Sequence, residues 1–143
     1  MLIIFQETGQ IDQVVLTGEI EKLKEIYEQN GHLAMESFED HINLADVYVE
    51  NPLDEARRKL SPRYYVGVDY DRTELKADGA DEIVLTPALP CKIAVQFSGA
   101  TIAMGDLAGE PLQFSADDPG VYTLTFTPPF PYKSSIIHIE ATT

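Results

Sequence analysis

Apolar residues recur at every second position through most of the second half of the chain. Ile83 and Leu85 share one face of a run, Ile93, Val95 and Phe97 another, and Tyr122, Leu124 and Phe126 a third, with Thr123, Thr125 and Thr127 opposite. A period of two puts alternate side chains on opposite faces of a strand. The spacing predicts strands near 81–86, 92–97, 101–104, 111–115, 121–127 and 135–141. Gly79, Pro87, Pro90, Gly99, Gly105, Gly109, Pro119-Gly120 and Pro128-Pro129 punctuate them, as turn residues do. Short strands recurring between turn signals predict a β-sandwich. Its expected core is Ile83, Leu85, Ile93, Val95, Phe97, Tyr122, Leu124, Phe126, Ile137 and Ile139.

The first half mixes two periods. Leu2–Phe5 and Ile11–Leu16 read as strands around the turn Glu7-Thr8-Gly9-Gln10, a hairpin in which Gly9 supplies the unusual dihedral. Ile20, Leu23, Ile26 and Tyr27 then fall on one stripe of a helix over 19–29. Thr17 is its expected N-cap, and Asn30-Gly31 its stop. About three turns of helix are marginal alone, so the stripe is expected to pack on the hairpin. His32–Phe38 fits a strand weakly, 39–46 reads as a connection, and Val47–Glu50 as a short strand stopped by Asn51-Pro52. Leu53–Leu60, with the basic triplet Arg57-Arg58-Lys59, reads as a helical turn or an extended linker, and 64–69 as a tyrosine-rich strand. The expected fold is an α+β N-terminal part over 1–72, a β-hairpin plus one helix, followed by an all-β sandwich over 73–143.

Charge narrows the function classes. The 143 residues carry a formal net charge of −14, which repels a phosphate backbone, so no nucleic-acid partner is expected. The acidic residues are spread through both halves, as on a solvated surface. No run approaches the ~20 apolar residues of a membrane span, so no membrane insertion is expected. The N-terminus lacks the basic and apolar segments of a secretory signal, which predicts synthesis in a cytoplasm. The single Cys91 excludes an intrachain disulfide and reads as a buried thiol.

Candidate chemistry is sparse. His32, Glu36, Glu39, Asp40, His41 and Asp46 form the densest group of potential ligands, but their spacing matches no metal or acid–base motif. Asp69, Asp71, Glu74, Asp78, Asp81 and Glu82 form an acidic run without the spacing of a calcium loop. Ser98, Ser115, Ser134 and Ser135 lie in no nucleophile elbow. No catalytic residue, metal ligand or cofactor is therefore assigned, and the protein is not expected to be an enzyme. The stiff loop Thr127-Pro128-Pro129-Phe130-Pro131-Tyr132-Lys133 supplies two partner-interface candidates, Phe130 and Tyr132; the alternative is that they cover the end of the core.

The run Lys76-Ala77-Asp78-Gly79-Ala80-Asp81 with its following strand, and Pro119-Gly120-Val121-Tyr122-Thr123-Leu124, resemble the early and late strands of bacterial immunoglobulin-like domains of the invasin type. Ile3-Ile4-Phe5-Gln6-Glu7-Thr8-Gly9-Gln10-Ile11, Tyr48-Val49, Pro131-Tyr132 and Ile139-Glu140-Ala141 extend the likeness: the whole chain is similar to small proteins encoded among the tail genes of tailed bacteriophages. The basic stretch 53–63 departs from that pattern. The resemblance implies a non-enzymatic structural or adaptor component of the virion, in the tail, baseplate or fibre region. Its partners would be other virion proteins, within an oligomeric assembly. A capsid decoration protein or a tail-fibre assembly factor is the alternative, and a small metal-binding protein or metalloenzyme using 32–46 is a third reading.

Overall fold

Leu2-Ile3-Ile4-Phe5 is apolar at every position, and a strand of that composition must be covered on both faces. The computed structural model, which describes residues 1–39 and 42–143, shows how this is met. Strand β1 (Leu2–Phe5) is the centre of a three-stranded antiparallel sheet, between β2 (Ile11–Val15) and the later β3 (Leu33–Glu36). Between them lies α1 (Ile20–Gln29), the one helix among the described residues. Leu2 and Ile4 cluster with Ala34, Val15 and the helix residues Ile20, Leu23 and Tyr27. Ile3 and Phe5 point the other way and cluster with Ile11 and Val49.

The hairpin and the helix lie where the sequence pattern puts them, but two details differ. Thr17 is not the N-cap. Glu19 holds that position without a side-chain bond, while the Thr17 hydroxyl accepts from Glu19 N at 3.0 Å and shapes the turn before it. Ile26 is 44% exposed: at 100° per residue it falls to the side of the stripe that Ile20, Leu23 and Tyr27 share. The stop is a Schellman motif. Gly31, at φ +83°, donates to Glu28 O, and His32 N donates to Tyr27 O.

The segment Leu53–Leu60, expected to be a helical turn or a linker, is turns as far as 58 and strand beyond it. Lys59–Pro62 is strand β5, paired antiparallel with β4 (Val47–Glu50). Turns over 51–58 join them, Asn51 has φ +55°, and the Arg58 guanidinium lies over the Phe5 ring at 5.1 Å. Pro62 has no N–H to donate, which a two-stranded ribbon with open edges tolerates. Gly9, at φ +94°, abuts this hairpin: its carbonyl accepts from Val49 N at 2.8 Å, and a Cβ there would run into the Val49 carbonyl.

The chain divides into two compact units, Met1–Tyr64 and Tyr65–Thr143. The sequence pattern assigns 65–72 to the first; the contacts assign it to the second. Val66 is buried in the second core, its N–H donates to Lys133 O at 3.0 Å, and its carbonyl accepts from the Ser135 hydroxyl.

The second unit is all β. Its strands are β6 (Val68–Asp69), β7 (Glu74–Lys76), β8 (Ile83–Pro87), β9 (Cys91–Phe97), β10 (Ala100–Leu107), β11 (Leu112–Phe114), β12 (Gly120–Thr127) and β13 (Ser135–Thr142). They form a five-stranded sheet, β10-β9-β12-β13-β7, and a three-stranded sheet, β11-β8-β6. All pairings are antiparallel except β7 with β13. One hydrophobic cluster draws on both sheets. Ile83, Leu85, Leu124, Phe126 and Ile139 have no exposed surface, and each such burial contributes about 1.5–3 kcal/mol. Nine of the ten expected core residues are buried, while Phe97 is partly buried and packs against them. Strand β7 was not expected. Its Leu75 is buried, yet its short run Glu74-Leu75-Lys76 shows only one apolar position.

Candidate functional site

The five-stranded sheet turns alternate residues away from the core. Because Val95, Leu124 and Ile137 point inward, Ala94, Thr125 and Ile136 point outward. The register aligns them with Met104 in one row across four strands: Met104, Ala94, Thr125, Ile136. A second row runs Thr101, Gln96, Thr123, His138, within which the Thr123 hydroxyl and His138 Nδ1 lie 3.1 Å apart. Neither row holds a carboxylate, lysine or arginine, on a chain with 24 acidic and 10 basic residues.

Strand β10 ends this sheet. Seven of its eight residues are exposed, with Ile102 at 55% and Met104 at 80%. Ala103 and Gly105, whose register partners Val95 and Ile93 face the core, are exposed too. The second sheet therefore leaves both faces of β10 open over most of its length. Asp106 is its only charged residue, and a register irregularity between Thr101 and Ala103 is its only distortion. A long edge of this kind, without lysine or proline, presents unpaired backbone groups to a further strand.

A groove of about 530 Å³ opens at the C-terminal end of β10, with Pro90, Leu107, Ala108, Thr127, Pro128 and Pro129 in its lining. Cys91 also borders it. Its Sγ lies 3.2 Å from Leu89 O, and burial pushes its thiol up from the ordinary value. The sequence-expected loop residues sit close by in the chain. Pro128 is buried, Phe130 half-buried and Tyr132 42% exposed. The Phe130–Pro131 peptide bond is cis, and Tyr132 N donates to Pro129 O at 3.2 Å. The lining is drawn from Pro128 and Pro129 rather than from the two aromatics.

The other groups weighed from sequence are placed as follows. His32 packs edge-on against Tyr27 at 5.8 Å, and Glu36 ends β3. Asp46 N donates to Asn43 O, while the Asp46 carbonyl accepts from Arg63 N at 2.7 Å. Asp40 and His41 lie outside the described residues. Among the described residues no three ligand-type side chains converge. In the acidic run, Asp81 receives both terminal nitrogens of Arg72, at 2.7 and 3.1 Å, and the Lys76 N–H at 2.8 Å. These bonds hold its carboxyl down at about 2. Asp78 accepts from the Ala80 and Asp81 N–H groups, which lowers it as well. This part of the acidic run is a hydrogen-bonded turn.

The extent of β10 is what sequence reasoning misses. Only 101–104 reads as a strand, since Ile102 and Met104 alternate while Gly105 and Asp106 break the pattern. The usable signal is the near absence of charge over Ala100–Leu107 in so acidic a chain. Comparison with known protein families, with curated proteins and with solved structures finds no match.

Proposed function

We propose that the chain is a non-enzymatic structural or adaptor component of a tailed-phage virion, of the tail, baseplate or fibre region, acting by protein–protein contact through its second unit. The observation that carries the contact reading is the open, nearly uncharged edge β10 beside two rows of the sheet face that hold no carboxylate, lysine or arginine. Surfaces that must stay solvated on an acidic protein carry charge, and edges that must stay single are short or charged. The virion assignment rests on the resemblance carried by the hairpin around Gly9, Tyr48-Val49, Pro131-Tyr132 and Ile139-Glu140-Ala141.

The second unit is on this reading an immunoglobulin-like sandwich. Three features support it. The strand orders β7-β13-β12-β9-β10 and β6-β8-β11 are compatible with two such sheets, and a parallel pair joins an early strand to the last. Tyr122, near the start of β12, donates its hydroxyl to Asp118 O, as the tyrosine corner of that fold does. Leu124, two residues on, stands where antibody domains carry a disulfide cysteine, and is fully buried. Such folds present edges and end loops to partners from a rigid core.

Mass spectrometry of purified particles of the phage or prophage that encodes the chain tests the reading. Its expected result is the chain as a stoichiometric structural component. Absence from particles with presence in lysates would make it an assembly factor. Absence from both, beside a substrate turned over by the pure protein, would overturn the proposal.

A further inference from the structure

We propose that Asn30-Gly31 is a self-modification site: when the last turn of α1 opens, the Gly31 nitrogen displaces ammonia from the Asn30 side chain, and the product no longer closes the helix.

The first support is the pairing of residue types. Attack on a side-chain amide needs an N–H on the following residue and room to approach. Asn43 precedes the branched Leu44, and Asn51 precedes Pro52, which has no N–H to give up. Only Asn30 precedes a glycine. Both residues are exposed, and nothing lies within 4 Å of the place a Gly31 side chain would take. Asp78-Gly79 has the same open spacing but is tied down. The Asp78 carboxylate holds the Ala80 and Asp81 N–H groups, and Gly79 N donates to Ala116 O at 3.0 Å.

The reaction needs only water besides the chain. A bond forms from Gly31 N to Asn30 Cγ, the Cγ–Nδ2 bond breaks, and the nitrogen leaves as ammonia with the proton of the Gly31 amide. One water then opens the five-membered imide. Opening at Cγ gives aspartate. Opening at the Asn30 backbone carbonyl gives isoaspartate, with the chain running through the former side chain.

The second support is the gate. Asn30 has φ −92° and ψ 11°, so Gly31 N is nearly eclipsed with Asn30 N. Cβ stands about 120° away around the same bond, so Gly31 N lies more than about 100° from Cβ, whereas ring closure needs those two nearly eclipsed. Three bonds hold the closed form: Asn30 Nδ2 donates to Ile26 O at 2.9 Å, Gly31 N to Glu28 O at 3.1 Å and His32 N to Tyr27 O at 3.0 Å. Yet this end opens cheaply. Helix α1 has no buried residue, no basic residue in its last turn, and Glu28 at the negative end of its dipole.

The product keeps the end open. Aspartate has no donor for Ile26 O, and its carboxylate meets the partial negative charge of the last carbonyls. Isoaspartate adds a backbone atom between the donors at 31 and 32 and their acceptors at 28 and 27, which spoils the spacing of the Schellman motif. Leu33, the next residue, is in register with Phe5, and Leu23 and Tyr27 cover Leu2 and Ile4. Modification therefore loosens the cover on that face of the first sheet.

The test incubates the full chain at neutral pH, folded and in unfolding urea, and weighs and fragments its peptides over time. A gain of about 1 Da at Asn30 is expected, with Asn43 and Asn51 unchanged. It should be at least about tenfold slower in the folded chain than in urea. Gln29→Lys, which adds a cation to the last turn, should slow the folded reaction about twofold to fivefold and leave the rate in urea unchanged. The modified chain, recovered by ion exchange, should lose amide-exchange protection at 30–32. No mass gain at Asn30 in urea, or equal rates folded and unfolded, would overturn the proposal. So would a folded rate indifferent to Gln29→Lys, since the last turn would then not be the gate. Unchanged exchange protection after modification would overturn its structural consequence.

Discussion

The Tyr122 hydroxyl donates to the backbone carbonyl of Asp118, 2.9 Å away, and so ties the turn before β12 to the strand itself. The same ring stacks on Phe97, with centroids 4.3 Å apart, and meets Phe114 edge-on at 5.3 Å. One side chain therefore links a turn and both sheets. Tyr122→Phe should cost about 1 kcal/mol, the net worth of a hydrogen bond. Tyr122→Ala should cost about 3–5 kcal/mol, because the aromatic contacts and the buried volume go with it. Urea unfolding of both variants checks this, and a loss under about 1 kcal/mol for the alanine variant would contradict the packing.

Asp81 sets an acid dependence. Its folded value, about 2, lies below the ordinary 3.8 because Arg72 and the Lys76 N–H bond the charged form. A depressed carboxylate contributes stability above its unfolded value, and that contribution is lost as pH falls toward the folded value. Thermal unfolding of wild type and Asp81→Asn should thus differ at pH 5 and above, and converge between pH 4 and 2. A constant gap across that window would show that the carboxylate's charge is not what matters.

The second unit should fold alone, but only with its first residues. A fragment spanning 65–143 should unfold cooperatively with a β-type circular dichroism spectrum. One spanning 73–143 lacks the buried Val66 and the partly buried Val68, and should melt at a lower temperature. Equal stability of the two would return 65–72 to the first unit.

Gly9→Ala should destabilise the first unit. Backbone strain at φ +94° alone costs about 1–3 kcal/mol, and the added methyl meets the Val49 carbonyl, a backbone atom that cannot swing aside. Wild-type-like unfolding of this variant would mean that the turn is free to move away from the β4–β5 hairpin.

Phe130 and Tyr132 separate contact from cover. Phe130 is half-buried and Tyr132 is 42% exposed. Changing both to alanine should reduce incorporation into particles, with circular dichroism unchanged. Unchanged incorporation with a lowered unfolding temperature would assign the pair to covering the core.

Sequence by itself determined what short-range chemistry controls. The apolar run Leu2–Phe5, the helix over Ile20–Gln29 with its Asn30-Gly31 stop, and the six alternating strands after Thr73 are all local patterns. A residue's spacing from its neighbours decides which face it takes, so the second core was legible in the period alone. Tertiary structure decided what depends on partners far along the chain. Glu74–Lys76 is a strand because β13, more than sixty residues later, offers it an edge. Lys59–Pro62 is a strand because Val47–Glu50 lies beside it, despite a basic triplet and a proline that read otherwise. Residues 65–72 join the second unit because Lys133 and Ser135 bond Val66. The candidate site belongs to this second kind. Nothing in the local order of Ala100–Leu107 says that the opposite sheet stops short of it; only the arrangement of strands leaves that edge bare.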